Sequence, residues 1–171
     1  MIFSKNIVSA FAAAAIAALG VAAKPGETHT VELVNNCGKG KPQLQRNGKI
    51  LSNGEPYTQH GGRLVADAWL QTDECNRTNG NNCTLVLIDL ENGTESNNAK
   101  SSTEIYIVPP QYKFSVPVKF QYYGPCNGGN QCLSASCCPQ GARCSDQDPD
   151  DQAERLCLGN NANVRITFCP K

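Results

Sequence analysis

The chain predicts an all-β fold, an antiparallel β-sandwich carrying a small disulfide-rich lobe. Three observations predict it. Short apolar or alternating runs recur between turn signals. Helical periodicity is nearly absent. Five of the ten cysteines fall inside Cys126–Cys144, CNGGNQCLSASCCPQGARC. That stretch has few apolar side chains besides cysteine, so burial cannot offset its ordering entropy and cross-links must shape it.

Residues 1–23 read as a cleaved secretory signal. Lys5 is the basic start, Ile7 to Leu19 the apolar centre, and Val21-Ala22-Ala23 the small-residue cleavage site. The apolar run falls short of the ~20 residues a spanning helix needs. The mature chain, residues 24–171, suits one domain, with 126–157 as a reduced cysteine-rich lobe.

Thr30 to Asn35 opens the sandwich as a strand. Leu44 to Leu51 holds a hairpin whose Asn47-Gly48 turn suits type I′ geometry. Tyr57 to Gln59 is a short strand broken by Gly61-Gly62. In the strand Arg63 to Thr72, Leu64, Ala66, Ala68 and Leu70 share one face; Val65, Asp67 and Trp69 share the other. Cys75 to Cys83 encloses a polar loop, and Thr84 to Leu90 is an apolar, well-buried strand. Ser102 to Val108 is a strand stopped by Pro109-Pro110. Lys113 to Phe120 alternates strictly, with Pro117 marking an edge strand or a bulge. Asp146 to Cys157 is acidic with room for one short helix, and Asn163 to Cys169 is the final strand.

Lys+Arg and Asp+Glu both number 15, a net charge of zero. Nothing steers such a chain to nucleic acid or a membrane surface, and a monomer is expected. An even cysteine count behind a leader reads as five disulfides in an extracellular protein. No C-x-x-C pair exists and the histidines, His29 and His60, lie away from the cysteine cluster, so no metal or cofactor is expected. Asp146, Asp148, Asp150 and Asp151 lack the glycine and the closing glutamate of a calcium loop and read as a solvated acidic turn. Three sequons, at Asn76, Asn82 and Asn92, are candidate glycosylation sites. No nucleotide loop, nucleophile elbow or triad is present. Exposed aromatics beside amides suit sugar C–H faces and hydroxyls, which nominates Tyr122, Tyr123 and Trp69; the competing reading is that these rings pack the core.

Several motifs in order resemble the thaumatin-like (osmotin) family: VELVNNC at 31–37, GEPYT at 54–58, AWLQTDEC at 68–75, FSVPVKF at 114–120, CCPQGARC, then RLC at 155–157 and VRITFCP at 164–170. The resemblance covers nearly all of the mature chain. It implies a flattened two-sheet sandwich with Cys37 bridged to Cys169, Cys75 to Cys83 and Cys132 to Cys157. Cys138–Cys144 and Cys126–Cys137 complete that set, although spacing alone leaves the pairing of these cysteines open. The family's acidic cleft, tied to β-1,3-glucan binding and weak hydrolysis, is not reproduced. Gln71 stands where its arginine would be, Ile107 and Tyr112 stand where two aspartates would be, and no aspartate follows Arg155-Leu156-Cys157. Glycoside hydrolysis needs two carboxyl groups flanking one bond, and no matched pair exists.

The expectation is therefore a secreted, non-enzymatic glycoprotein that binds an extracellular or cell-wall polysaccharide of β-glucan type, or a secreted protein, in a defence-like role. Asp67 and Glu104 join the three aromatics as candidate ligand-binding residues. Two alternatives stand beside it: a weak β-1,3-glucanase using Glu104 or Asp67, and an inhibitor of secreted enzymes presenting a rigid loop such as Cys126–Cys132.

Overall fold

The computed structural model describes residues 26–75, 79–93 and 100–171. The leader at 1–23 and the Asn76 sequon lie outside them. Two sheets face each other. Strands β1 (Thr28–Asn35), β4 (Tyr57–His60), β8 (Val118–Tyr123), β9 (Gly129–Cys132) and β11 (Asn163–Phe168) form the first, in the order β4-β1-β11-β8-β9. Strands β2 (Lys41–Arg46), β3 (Lys49–Ser52), β5 (Leu64–Gln71), β6 (Leu85–Leu90), β7 (Ser101–Tyr106) and β10 (Arg155–Cys157) form the second, in the order β10-β7-β6-β5-β2-β3. A single helical turn, α1 (Asp150–Ala153), precedes β10.

Alternation builds the core. Val31 and Leu33, Val118 and Phe120, and Val164, Ile166 and Phe168 point inward from the first sheet. Leu64, Ala66, Ala68, Leu70, Val86, Ile88, Leu90 and Ile105 meet them from the second. Eight of the nine strand pairings are antiparallel; β1 and β11 run parallel at the centre of the first sheet.

Three elements differ from the expectation. The strand expected over Lys113–Phe120 begins only at Val118. Pro117 offers no amide to a ladder, and the segment before it is held by a side chain instead. The Thr84 hydroxyl accepts from Ser115 N (2.8 Å) and donates to Val116 O (3.0 Å), so this buried threonine replaces a strand partner. Residues 155–157, which carried no expected strand, form β10 on β7. The cysteine-rich stretch, expected to owe its shape to cross-links, also contains the short polar strand β9, because Gly129 lets it lie flat on β8. A Cβ at Gly129 would come within 2.1 Å of the Phe120 carbonyl oxygen.

All ten cysteines are bridged. Cys37–Cys169, Cys75–Cys83 and Cys138–Cys144 are paired as expected. The other two expected pairs are corrected: Cys126 bridges Cys157 and Cys132 bridges Cys137, not Cys132–Cys157 and Cys126–Cys137. The chain path explains it. Cys132 ends β9 with its side chain buried, and the turn after it returns within five residues. Cys126 sits against Gly159, which follows β10; Gly159 N lies 3.4 Å from the Cys126 sulfur. Such bridges fit an oxidising compartment.

Candidate functional site

Three strands of the second sheet present their outer face as a shallow cleft of about 260 Å3. The register explains its composition. Asp67 on β5 lies opposite Leu87 on β6, and Leu87 opposite Glu104 on β7, so one row reads Asp67, Leu87, Glu104. The next row reads Val65, Asp89, Ser102 and, on β10, Leu156. Adjacent strands are ~4.8 Å apart, which sets Asp67 and Glu104 roughly 10 Å apart at the backbone. Val65 and Leu156 are exposed, and Leu87 is half-buried.

Two of the three carboxylates are committed. Arg63 Nε donates to Asp89 Oδ1 at 2.6 Å and its other nitrogen contacts the second oxygen. Arg143 Nε donates to Glu104 Oε2 at 3.1 Å, with both side chains largely shielded. Arg143 comes from the cysteine-rich lobe. Its backbone extends the sheet beside Tyr106, accepting from Ile107 N and donating to Ile105 O, and the adjacent Cys138–Cys144 bridge fixes that approach. The lobe thus supplies one wall of the cleft. Asp67 differs: no hydrogen bond or ion pair ties its side chain to another described residue, and burial pushes its carboxyl above the ordinary carboxylate range.

The five expected ligand-binding residues separate. Asp67 and Glu104 come together in the cleft. Trp69 shares their outward face but is wholly buried, a correction to its reading as an exposed ring. The Cys75–Cys83 bridge and Gly80 pack over it, in a satellite core with Leu85, Leu87, Tyr106 and Tyr112. A Cβ at Gly80 would stand 3.1 Å from the indole, so the cover needs a glycine there. Tyr122 is also buried; its hydroxyl donates to Arg155 O at 2.9 Å and meets Thr103 Oγ1 at 3.0 Å, and burial drives its pKa upward. Those partners explain why a tyrosine tolerates that position. Tyr123 is half-exposed on the opposite sheet, under the Arg165 guanidinium, and its pKa is pushed up to about 12 by burial and by Glu32 beside it. No ring therefore joins the carboxylates from this set.

Sequence reasoning missed Asp89, Arg63, Arg143, Val65 and Ser102. Asp89 had a signal: it breaks the apolar run TLVLIDL on the face it shares with Leu87. Arg143 had none, since it arrives through the disulfide path. Among the sequons, Asn82 is exposed, whereas the Asn92 amide is engaged with Asn161. Asp148 Oδ2 accepts the amides of Cys144 and Ser145, a turn-stabilising role. Compared with known proteins, the chain matches no protein-family profile and no curated sequence.

Proposed function

We propose that this is a secreted, non-enzymatic thaumatin-like protein that binds a β-glucan-type extracellular polysaccharide on the outer face of the six-stranded sheet. The observation that carries the reading is the Asp67 carboxyl, uncommitted and half-buried in an open cleft beside exposed apolar side chains. Sugar hydroxyls are donors to such a carboxylate. Sugar C–H faces suit Val65 and Leu87. Asp89 and Glu104, already held by arginines, present fixed acceptors, so little ordering entropy is lost on binding.

Hydrolysis is disfavoured because two of three carboxylates are occupied by guanidinium groups, and the chemistry needs a cooperating pair. One observation favours the weak-glucanase reading: burial favours the protonated form of Asp67, as a general acid requires, and Glu104 lies across one strand from it. Sedimentation with insoluble β-1,3-glucan, chitin and cellulose separates the two. Retention on the glucan, lost in Asp67→Asn, with no reducing sugar released from laminarin, supports binding without catalysis. Retention on none of the three sinks it. Release of reducing sugar that Asp67→Asn abolishes supports the enzyme instead.

A further inference from the structure

A second cleft, of about 660 Å3, opens at the end of the sandwich and shares no residue with the first. That volume lies within the range of ligand pockets. One lip is Lys39, Gly40 and Lys41; the other is Thr72, Asp73 and Glu74; Gln71, Ser115 and Val116 lie between them. Gln71 lies four residues along β5 from Asp67, with the buried Trp69 between them.

Both lips are held. The first follows Cys37, bridged to Cys169, and the Asn35 amide donates to Lys39 O at 3.1 Å and Gly40 O at 3.2 Å. Gly40, at φ +78°, passes so close that a Cβ would meet Gln71 O at 2.8 Å. The second lip precedes Cys75, bridged to Cys83. A cleft with two fixed walls costs little ordering when filled.

The charges are arranged by sign. Lys39 and Lys41 stand on one lip and Asp73 and Glu74 on the other, all exposed. No ion pair joins any of them to another described residue. Between the lips, Gln71 Nε2 donates to Thr72 O and Cys75 O, which turns its oxygen away from both. That oxygen is buried and has no partner among the described residues.

We propose that this cleft binds an extended peptide segment bearing one carboxylate and one cationic side chain, seated between the two oppositely charged lips. A neutral sugar would leave four charges uncompensated; a polyanion or polycation would face one repelling lip. A mixed-charge peptide answers both signs.

The test uses the folded, oxidised protein and two capped peptides: acetyl-Asp-Gly-Ser-Lys-amide and its uncharged analogue acetyl-Asn-Gly-Ser-Gln-amide. Amide signals of residues 39–41 and 71–74 are followed by NMR titration. The charged peptide is expected to shift them saturably, the uncharged one far less. Lys39→Glu/Lys41→Glu, checked for unchanged fold by circular dichroism, should weaken binding by about tenfold. No shift with the charged peptide overturns the proposal, as do equal shifts with both peptides or an unaffected double variant. Laminari-oligosaccharides shifting these same signals, with the peptide silent, would make the cleft a sugar site and overturn it too. Asp67→Asn should leave the peptide titration intact, so this proposal and the glucan reading fail separately.

Discussion

Asn92 and Asn161 clasp each other by their amides. Asn92 Nδ2 donates to Asn161 Oδ1 at 3.0 Å, and Asn161 N donates back to Asn92 Oδ1. Thr28 N shares the Asn161 oxygen, and Asn92 N reaches Glu27, which also meets buried His29. Three separate segments meet there. Asn92→Gln should cost about 1–3 kcal/mol, the price of stranding half-buried partners. Asn82→Gly, which removes the other described sequon, should cost little: Asn82 is exposed and its φ of 61° suits glycine. Urea unfolding of both variants checks this; equal losses would contradict it.

Gly129→Ala should destabilise by about 2–4 kcal/mol, since its methyl group must displace backbone rather than a flexible side chain. Loss of slow hydrogen exchange should concentrate in β8 and β9. An alanine variant as stable as the parent would show that the two strands are not so closely apposed.

Asp67 opposes folding at neutral pH. Its folded-state pKa is raised by burial, so the native state holds the proton more tightly than the unfolded chain does. The penalty is absent below the unfolded value near ~3.9, grows as pH rises through the window up to the folded value, and is constant above it. Asp67→Asn should therefore raise Tm at about pH 7, with the gain closing toward about pH 3. Calorimetry across that range decides; a gain independent of pH would contradict the assignment.

Cys37→Ser/Cys169→Ser should cost about 2–5 kcal/mol. This bridge spans a sequence separation of 132 residues, whereas Cys132–Cys137 spans five. Loop-closure entropy grows with length, so a Cys132→Ser/Cys137→Ser variant should lose less. The reverse order in chemical denaturation would count against that account.

Strand parity made much of this fold legible. Leu64, Ala66, Ala68 and Leu70 face inward as their alternation requires, and the positive φ of Asn47 and Gly48 matches their turn. Parity also put Asp67 and Trp69 on one outer face. It could not tell that the Cys75–Cys83 bridge packs over the tryptophan while the aspartate stays half-buried. Glu104 joined Asp67 only through registers across β6, which no single strand encodes. Residues 126–144 were the least legible: their pairing depends on where β9 and β10 dock, and neither carries a hydrophobic pattern.

The parallel alignment of β1 with β11 governs how the molecule can be made. The six-stranded sheet draws five of its members from residues 41–106, so a growing chain can assemble most of it early. The five-stranded sheet must wait, because its central partner for β1 is β11, the last of these strands in chain order. Until then β1 offers an unpaired edge and an open apolar face, the condition in which nascent β-proteins are most apt to associate wrongly. Truncation within β11 should yield aggregates rather than a smaller folded product.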